Sequence, residues 1–234
     1  MSDAPGGGQI VTVQDPEGFP VNFVHGQSAP ETKYKTPEKL VFNDEMDKPR
    51  QRKFQRFEPG PAEVYKLGHF GMVVKNFAIQ MDWYTRHFNI VPSDILYVPM
   101  PGSTNGAPRR MEVAVFAHID RGNDLVDHHS LFLSTATPGK SCHVHHCSFE
   151  VHDFDTQALG HQWLSDKNYK SVWGVGRHIL GSQIFDYWWD TTGNMVEHYA
   201  DGDLVNMETP LAFGSAGHEG LAVWGPEVPK AFLE

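Results

Sequence analysis

Three groups able to do chemistry on a small molecule fall within the stretch from Gly176 to Glu197: His178, Tyr187 nine residues later, and Glu197 ten residues after that. An imidazole can take or give a proton near neutral pH, a phenol donates a hydrogen bond, and a carboxylate can ligate a metal. The apolar run Ile184 to Trp189, the polar segment Asp190 to Asn194 and the run Met195 to Tyr199 read as strand, tight turn, strand. That hairpin returns Glu197 beside the first strand. Alternation along a strand places Phe185, Tyr187 and Trp189 on one face, and Met195, Glu197 and Tyr199 on one face of the partner.

The elements that must position these groups come in two copies. His146 to Phe154 follows the pattern of His69 to Phe77 at an offset of 77, and Gln157 follows Gln80 at the same offset. Each copy reads as β-α-β-β-β. In the first, a strand from Ala62 to Val74 leads to a helix with Asn76 as N-cap and Phe77, Met81, Tyr84 and Phe88 at helical spacing. Strands follow over Asp94 to Val98, Met111 to His118 and His128 to Leu133, with turn-rich segments at 101–108 and 120–124. In the second, Asp153 takes the capping place and Leu159, Trp163 and Leu164 give the helix its apolar side. Lys170 to Trp173, Gln183 to Trp189 and Met195 to Tyr199 complete the unit. The fold class is α+β, with a first βαβββ module over 62–137 and a second over 138–204.

The opening strands place chemistry on one face. His146, Ser148 and Glu150 oppose Cys147, Phe149 and Val151, and His69, Gly71 and Val73 oppose Phe70, Met72 and Val74. The apolar rows pack on the helices, which leaves His69 and His146 on the other face, able to meet across a pseudo-twofold axis with Glu197 from the last strand. His145 is an alternative to His146, and parity favours His146. Two imidazoles and one carboxylate form a facial triad suited to Fe(II), with open coordination positions. Fourteen histidines against two cysteines also favour a metal held by N and O over one held by thiolates.

The Gly176-Arg177-His178 run, with Tyr187 and Glu197 at their spacing, resembles the signature of the extradiol ring-cleaving dioxygenases. These belong to the vicinal-oxygen-chelate superfamily, which also contains glyoxalase I. The resemblance covers about 62 to 204. It implies a curled mixed sheet of side-by-side modules around a metal, Glu197 as an iron ligand, and His178 and Tyr187 touching the catechol. It also places a catalytic, non-ligand His on the last strand of the first module. His129 matches that place better than His128, and its implied role is to handle a catechol proton. The implied activity is Fe(II)-dependent extradiol cleavage of a small aromatic diol with O2. Two other readings of the same fold stay open. One is a non-catalytic protein that binds an aromatic ligand. The other is a glyoxalase-type lyase or isomerase, for which Glu150 or Glu112 would supply a further ligand. Phe185, Trp188, Trp189 and Trp173 are candidates for an aromatic wall, and Arg177 for a structural salt bridge.

Composition narrows the partners. A formal charge of −10 argues against nucleic acid or an anionic membrane. No apolar run reaches the roughly 18 residues of a membrane span, and the N-terminus has no signal pattern. Cys142 and Cys147, five residues apart, point to opposite faces of a strand and do not pair, so a reduced, cytoplasmic protein is expected. Residues 9–26 echo 184–201: Asp15, Gly18 and Val21 fall on Asp190, Gly193 and Val196 at an offset of 175. Residues 1–61 are therefore read as a remnant closing hairpin of an upstream module followed by a Pro- and Lys-rich arm, 27–61. The hairpin is expected to pack on the body or to make a contact in a homo-oligomer. Residues 205–234 are read as a tail over the metal cup.

Overall fold

A computed structural model describes the chain except for residues 2, 30, 32–36, 105–106, 218–220 and 234. Parts of the arm, of the 101–108 turn and of the C-terminal tail thus lie outside the described residues. Two strands, β1 (Gln9–Gln14) and β2 (Pro20–His25), form a separate hairpin. The first module is β3 (Val64–Val74), α1 (Phe77–His87), β4 (Ile90–Thr104), β5 (Ala107–Ile119), a short β6 (Val126–Asp127) and β7 (Leu131–Thr135). The second is β8 (His143–Val151), α2 (Phe154–Asp166), β9 (Ser171–His178), β10 (Ile184–Trp189) and β11 (Met195–Ala200). After it come β12 (Leu204–Val205), β13 (Ala212–Ser215), β14 (Ala222–Trp224) and the short helix α3 (Lys230–Leu233). No helix among the described residues is long and apolar enough to cross a membrane.

The two modules share one sheet of ten strands in the order β13-β4-β5-β7-β3-β8-β11-β10-β9-β14. Within each module the first strand pairs parallel with the last, β3 with β7 and β8 with β11, and the modules meet where β3 pairs antiparallel with β8. This is the mixed sheet of paired βαβββ units expected from the repeat. At the seam His69 lies opposite Ser148 and Gly71 opposite His146. A Cβ on Gly71 would sit 2.9 Å from the His146 ring, and one on Gly68 would overlap the Tyr199 ring. Those glycines let large side chains cross the seam.

The helices cover the outer face. Phe77 and Tyr84 of α1 pack on Met72, Val74, Val115, Leu131 and Leu133. Under α2, Gln157 donates from Nε2 to the carbonyls of Ile184 and His198, and His161 Nδ1 donates to Asp186, which is fully buried and also accepts from Trp188 Nε1. Asp153 caps α2 by accepting from the Thr156 N–H. Asn76 makes no such side-chain bond. The start of α1 is capped from outside: Glu17 of the hairpin turn accepts from the N–H groups of Lys75 and Asn76.

That hairpin lies on α1. Asp15 is buried and accepts from Gln80 and from the Tyr84 hydroxyl, while Phe19 and Val21 pack against the first module's core and Phe23 stacks on Phe88. Its turn repeats the turn of β10–β11. Asp15 accepts from the N–H groups of Glu17 and Phe19 as Asp190 does from Thr192 and Asn194, and Gly18 and Gly193 have φ of 89° and 88°. The left-handed φ explains the glycine at both places.

The tail joins the sheet at both ends: β13 pairs with β4 and β14 with β9. Strand ends also differ from the sequence reading. The segment read as a strand from His128 begins only at Leu131, because Val126 and Asp127 pair with Leu204 and Val205 of the tail and the chain turns between the two pairings.

Two expectations follow. Asp15→Ala leaves Gln80 and Tyr84 without a buried acceptor. It should cost about 1–3 kcal/mol in denaturant unfolding and make the arm more susceptible to limited proteolysis; unchanged stability and cleavage would contradict the docking of the hairpin. The Asp186 carboxylate raises His161 above its ordinary value. A group raised in the folded state stabilises fully below its unfolded value, about 6.5, and loses that contribution as pH rises through the folded value. His161→Asn should therefore be less stable than the parent mainly at acidic pH, with the gap closing on the alkaline side. A gap that stays constant across pH would contradict the pairing.

Candidate functional site

Three donors converge where β3, β8 and β11 run side by side. His69 Nε2 lies 3.0 Å from His146 Nε2 and 3.0 Å from Glu197 Oε2, and His146 Nε2 lies 3.7 Å from the same oxygen. Ligands on adjacent positions of one ion, each about 2.1 Å from it, lie about 3 Å apart. All three residues are buried, Glu197 completely. Among the described residues neither Glu197 oxygen has a well-formed hydrogen bond, although His69 Nε2 lies 3.0 Å from Oε2, and a buried carboxylate in that state is costly unless a cation faces it. Burial pushes its pKa up, yet contact with His69 and the nearness of His178 hold the carboxyl below the usual range. The group fits a divalent metal. Glu150 and Glu112 are not part of it. Glu150 instead pairs with Lys66 and accepts from the Tyr199 hydroxyl.

His145 also turns toward this side, against the parity rule. The register jumps from Gly71↔His146 to Met72↔Val144, so His145 is the extra residue of a bulge. Its Nε2 lies 2.9 Å from the Phe232 carbonyl of α3 and its Nδ1 lies 2.6 Å from His146 Nδ1. Burial holds its pKa down to about 4, so the ring is uncharged at neutral pH. Its one proton then goes to the carbonyl, which has no proton to offer. His146 must donate from Nδ1, which leaves the His146 Nε2 lone pair facing His69 and Glu197. Burial likewise holds His146 well below the ordinary range.

Beside the donors is a cavity of about 370 Å³ whose wall includes His69, His129, His146, His178 and Tyr187. The Tyr187 hydroxyl is 2.9 Å from His178 Nε2, and His178 Nδ1 is 2.8 Å from the Leu221 carbonyl. His178 therefore donates from Nδ1 and accepts the Tyr187 proton at Nε2. Burial, followed by the Glu197 charge, pushes Tyr187 well above its usual value, so it keeps its proton. Burial pushes His178 and His129 down, and His129 furthest. The His129 ring lies against His69, with centroids 4.0 Å apart.

His129 sits in the loop before β7 and not on the strand. His128 is buried and its Nε2 is 2.7 Å from Asp94. Arg177 bridges Asp201 and the Ser182 carbonyl. Trp173 and Phe185 pack as core with Tyr187, and Trp188 lies under α2 against His161. The aromatic wall expected from Trp173, Phe185, Trp188 and Trp189 is instead supplied by Phe116, Phe132 and Phe232. Sequence periodicity gave no signal for Phe232, because it arrives from the tail.

Residues 66–198 match the family model described as the Glyoxalase/Bleomycin resistance protein/Dioxygenase superfamily, and the chain belongs to that superfamily. Its fold is the vicinal-oxygen-chelate fold. Metapyrocatechase 2 of Cupriavidus necator is 32% identical over 126 residues, which are 53% of this chain and 38% of that protein. Two solved structures share the fold. The Mn(II)-bound glyoxalase from Novosphingobium aromaticivorans superposes with a TM-score of 0.69 at 18% identity, over 98% of this chain and 62% of its own. Homoprotocatechuate 2,3-dioxygenase from Arthrobacter globiformis gives 0.66 at 21% identity, over 99% and 62%. The chain thus spans less than two thirds of the length of each of these proteins.

If the three donors hold an ion, loading should stabilise the fold. Adding Fe(II) anaerobically, or Mn(II), at about 100 times its dissociation constant should add about 2.7 kcal/mol, read as a rise in Tm. Glu197→Gln and His146→Ala should abolish the rise. An unchanged Tm in the parent, or full metal occupancy in His146→Ala, would contradict this set and point to His145.

Proposed function

We propose that this member of the superfamily is an Fe(II)-dependent extradiol dioxygenase that opens the ring of a catechol-type diol with O2. The observation that carries the reading is that His129, His178 and Tyr187 line the same cavity as His69 and His146. A protein that only sequesters an aromatic ligand has no need of three converging buried donors. A lyase of this fold has no need of the Tyr187–His178 pair.

In this reading His69, His146 and Glu197 hold the ion, which supplies a chelation point for two vicinal oxygens and the activation of O2. The remaining steps belong to the side chains. Tyr187 keeps its proton, so it acts as a donor to a substrate oxygen. His178, anchored by its Nδ1–H on the Leu221 carbonyl, offers Nε2 as an acceptor to Tyr187 or to a substrate hydroxyl. His129, held uncharged by burial, takes a proton from the diol and returns it as the ring opens. Diol and O2 combine with no atom lost, giving a ring-opened semialdehyde acid. The cavity wall around these groups is mostly apolar, with Leu96, Val113, Phe116, Phe132, Leu180 and Leu221, and among the described residues it carries no Lys or Arg. A charged ring substituent would find no counter-charge there, so a neutral, apolar substituent fits.

The test is anaerobic loading with Fe(II), then O2 uptake and product absorbance over a panel of neutral and carboxylated catechols. Turnover on neutral members is expected. Tyr187→Phe should keep its iron and slow turnover by ~10- to 1000-fold, the loss of one to a few charge-assisted hydrogen bonds. His129→Ala should keep its iron and consume O2 without matching product. Parental rates and coupling in both variants would remove these two residues from the mechanism. No turnover by the iron-loaded parent on any catechol would overturn the dioxygenase reading.

A further inference from the structure

Behind His129 lies a chain of buried polar groups that the reaction as described does not use. Asp94 of β4 and His128 are both largely withdrawn from solvent, and His128 Nε2 is 2.7 Å from Asp94 Oδ2. The other ring nitrogen of His128, Nδ1, lies 3.2 Å from His129 Nδ1. The backbone of His128 is fixed on both sides: its N–H donates to the Asp203 carbonyl and its carbonyl accepts from the Ser93 hydroxyl. Gly181 lies against the ring, where an added Cβ would come within 3.0 Å of His128 Nδ1.

For a His128 ring with a single proton, counting protons gives the direction of these contacts. A carboxylate only accepts, so Nε2 of His128 carries the proton shared with Asp94. With one proton on the ring, Nδ1 of His128 is a bare acceptor. The contact of 3.2 Å between the two Nδ1 atoms then requires the proton to sit on His129. His129 is left with an unprotonated Nε2, and its ring lines the cavity. A purely structural ion pair between Asp94 and His128 would not need the second nitrogen of His128 aimed at a neighbouring ring. The second module shows the same Nδ1-to-Nδ1 contact between adjacent histidines, at 2.6 Å, with the Phe232 carbonyl as its terminal acceptor. There the relay presents Nε2 of His146. Here the corresponding relay presents Nε2 of His129.

We propose that Asp94 and His128 are positioning residues that fix the tautomer of His129, keeping its Nε2 lone pair directed at the cavity to receive a proton. The tautomer follows from the contacts of a His128 ring that carries a single proton. Its use in catalysis rests on the reading of His129 as the proton acceptor.

The two parts can be tested separately. In the metal-free full-length chain labelled with 15N-histidine, long-range 15N–1H correlation spectra report which ring nitrogen is protonated. His129→Gln identifies the His129 signals. His129 is expected with its proton on Nδ1 and His128 with its proton on Nε2. His128→Phe removes the acceptor and should move the His129 proton to Nε2; Asp94→Leu should do so by freeing His128 to turn over. Asp94→Asn keeps the side-chain shape and serves where the leucine variant does not fold, and there too a mixed or reversed His129 tautomer is expected. A parent His129 protonated on Nε2, as a doubly protonated His128 would impose, overturns the proposal. So does an Nδ1 proton that persists in all the variants. This readout does not depend on turnover, so it stands even if the dioxygenase reading fails. With the iron-loaded enzyme, His128→Phe should lower kcat by about 100-fold, the lower end of what general acid–base catalysis contributes, with KM and metal content unchanged. A KM effect alone would assign His128 to packing.

Discussion

Antiparallel pairing of β3 with β8 sets Gly71 opposite His146 and His69 opposite Ser148, and the rest of the site depends on that register. A slip by one residue would send both histidines to the helix-covered face and bring the apolar row into the cavity. The pairing carries its own safeguards. Gly71 and Gly68 are small where His146 and Tyr199 cross, and Lys66 clamps Asp127 and Glu150 at one end of the seam. From this register the parallel partner β11 delivers Glu197 level with Ser148, within reach of both imidazoles. The parallel partner on the other side, β7, begins just after His129. Each module thus contributes one candidate donor from its first strand, His69 or His146, and one chemical group from its fourth strand or the loop before it.

The second constraint is electrostatic. The chain is acidic overall, yet among the described residues the cavity wall has no lysine or arginine, and burial drives its titrating imidazoles His129, His145, His146 and His178 toward the uncharged form. An uncharged imidazole has one donor and one acceptor, so its role is decided by which nitrogen holds the proton. The surrounding fold makes that choice with fixed acceptors. The Phe232 carbonyl acts through His145 on His146, the Leu221 carbonyl on His178, and Asp94 through His128 on His129. Two of these acceptors come from the C-terminal tail, which is how a segment outside the modules comes to set the chemistry of residues within them.

Much of this was legible in the sequence because it rests on period and repetition. The offset that pairs His69 with His146 also pairs Gln80 with Gln157, and alternation on the opening strands separates the histidines from the apolar row. The hairpin around Glu197 follows from its turn residues, and the Asp15 turn was readable as its echo because both need an Asp to collect N–H groups and a Gly at positive φ. What was not legible depends on contacts between distant segments. The bulge that turns His145 inward arises from pairing with β3, which parity along one strand cannot report. Asn76 holds the N-cap position of α1 as its sequence suggests, but the side-chain acceptor there is Glu17, far away in sequence, which takes the N–H groups of Lys75 and Asn76. His128 meets Asp94 across 34 residues of sequence, a contact that no local pattern reports. The tail has too short a pattern to announce that it extends the sheet at both edges. The tryptophans at strand spacing face the core because α2 and α3 cover them, while the phenylalanines of the wall are scattered over β5, β7 and α3.

The central claim is that the converging donors and the proton-handling groups act on one diol with O2. The most direct measurement is turnover of the iron-loaded chain under 18O2 with a neutral catechol, followed by mass analysis of the ring-opened product. The account predicts that both labelled atoms appear in the product, one in the new carboxylate and one in the new aldehyde, before any exchange with water. A product carrying one labelled atom or none, or conversion that proceeds unchanged without O2, would contradict it.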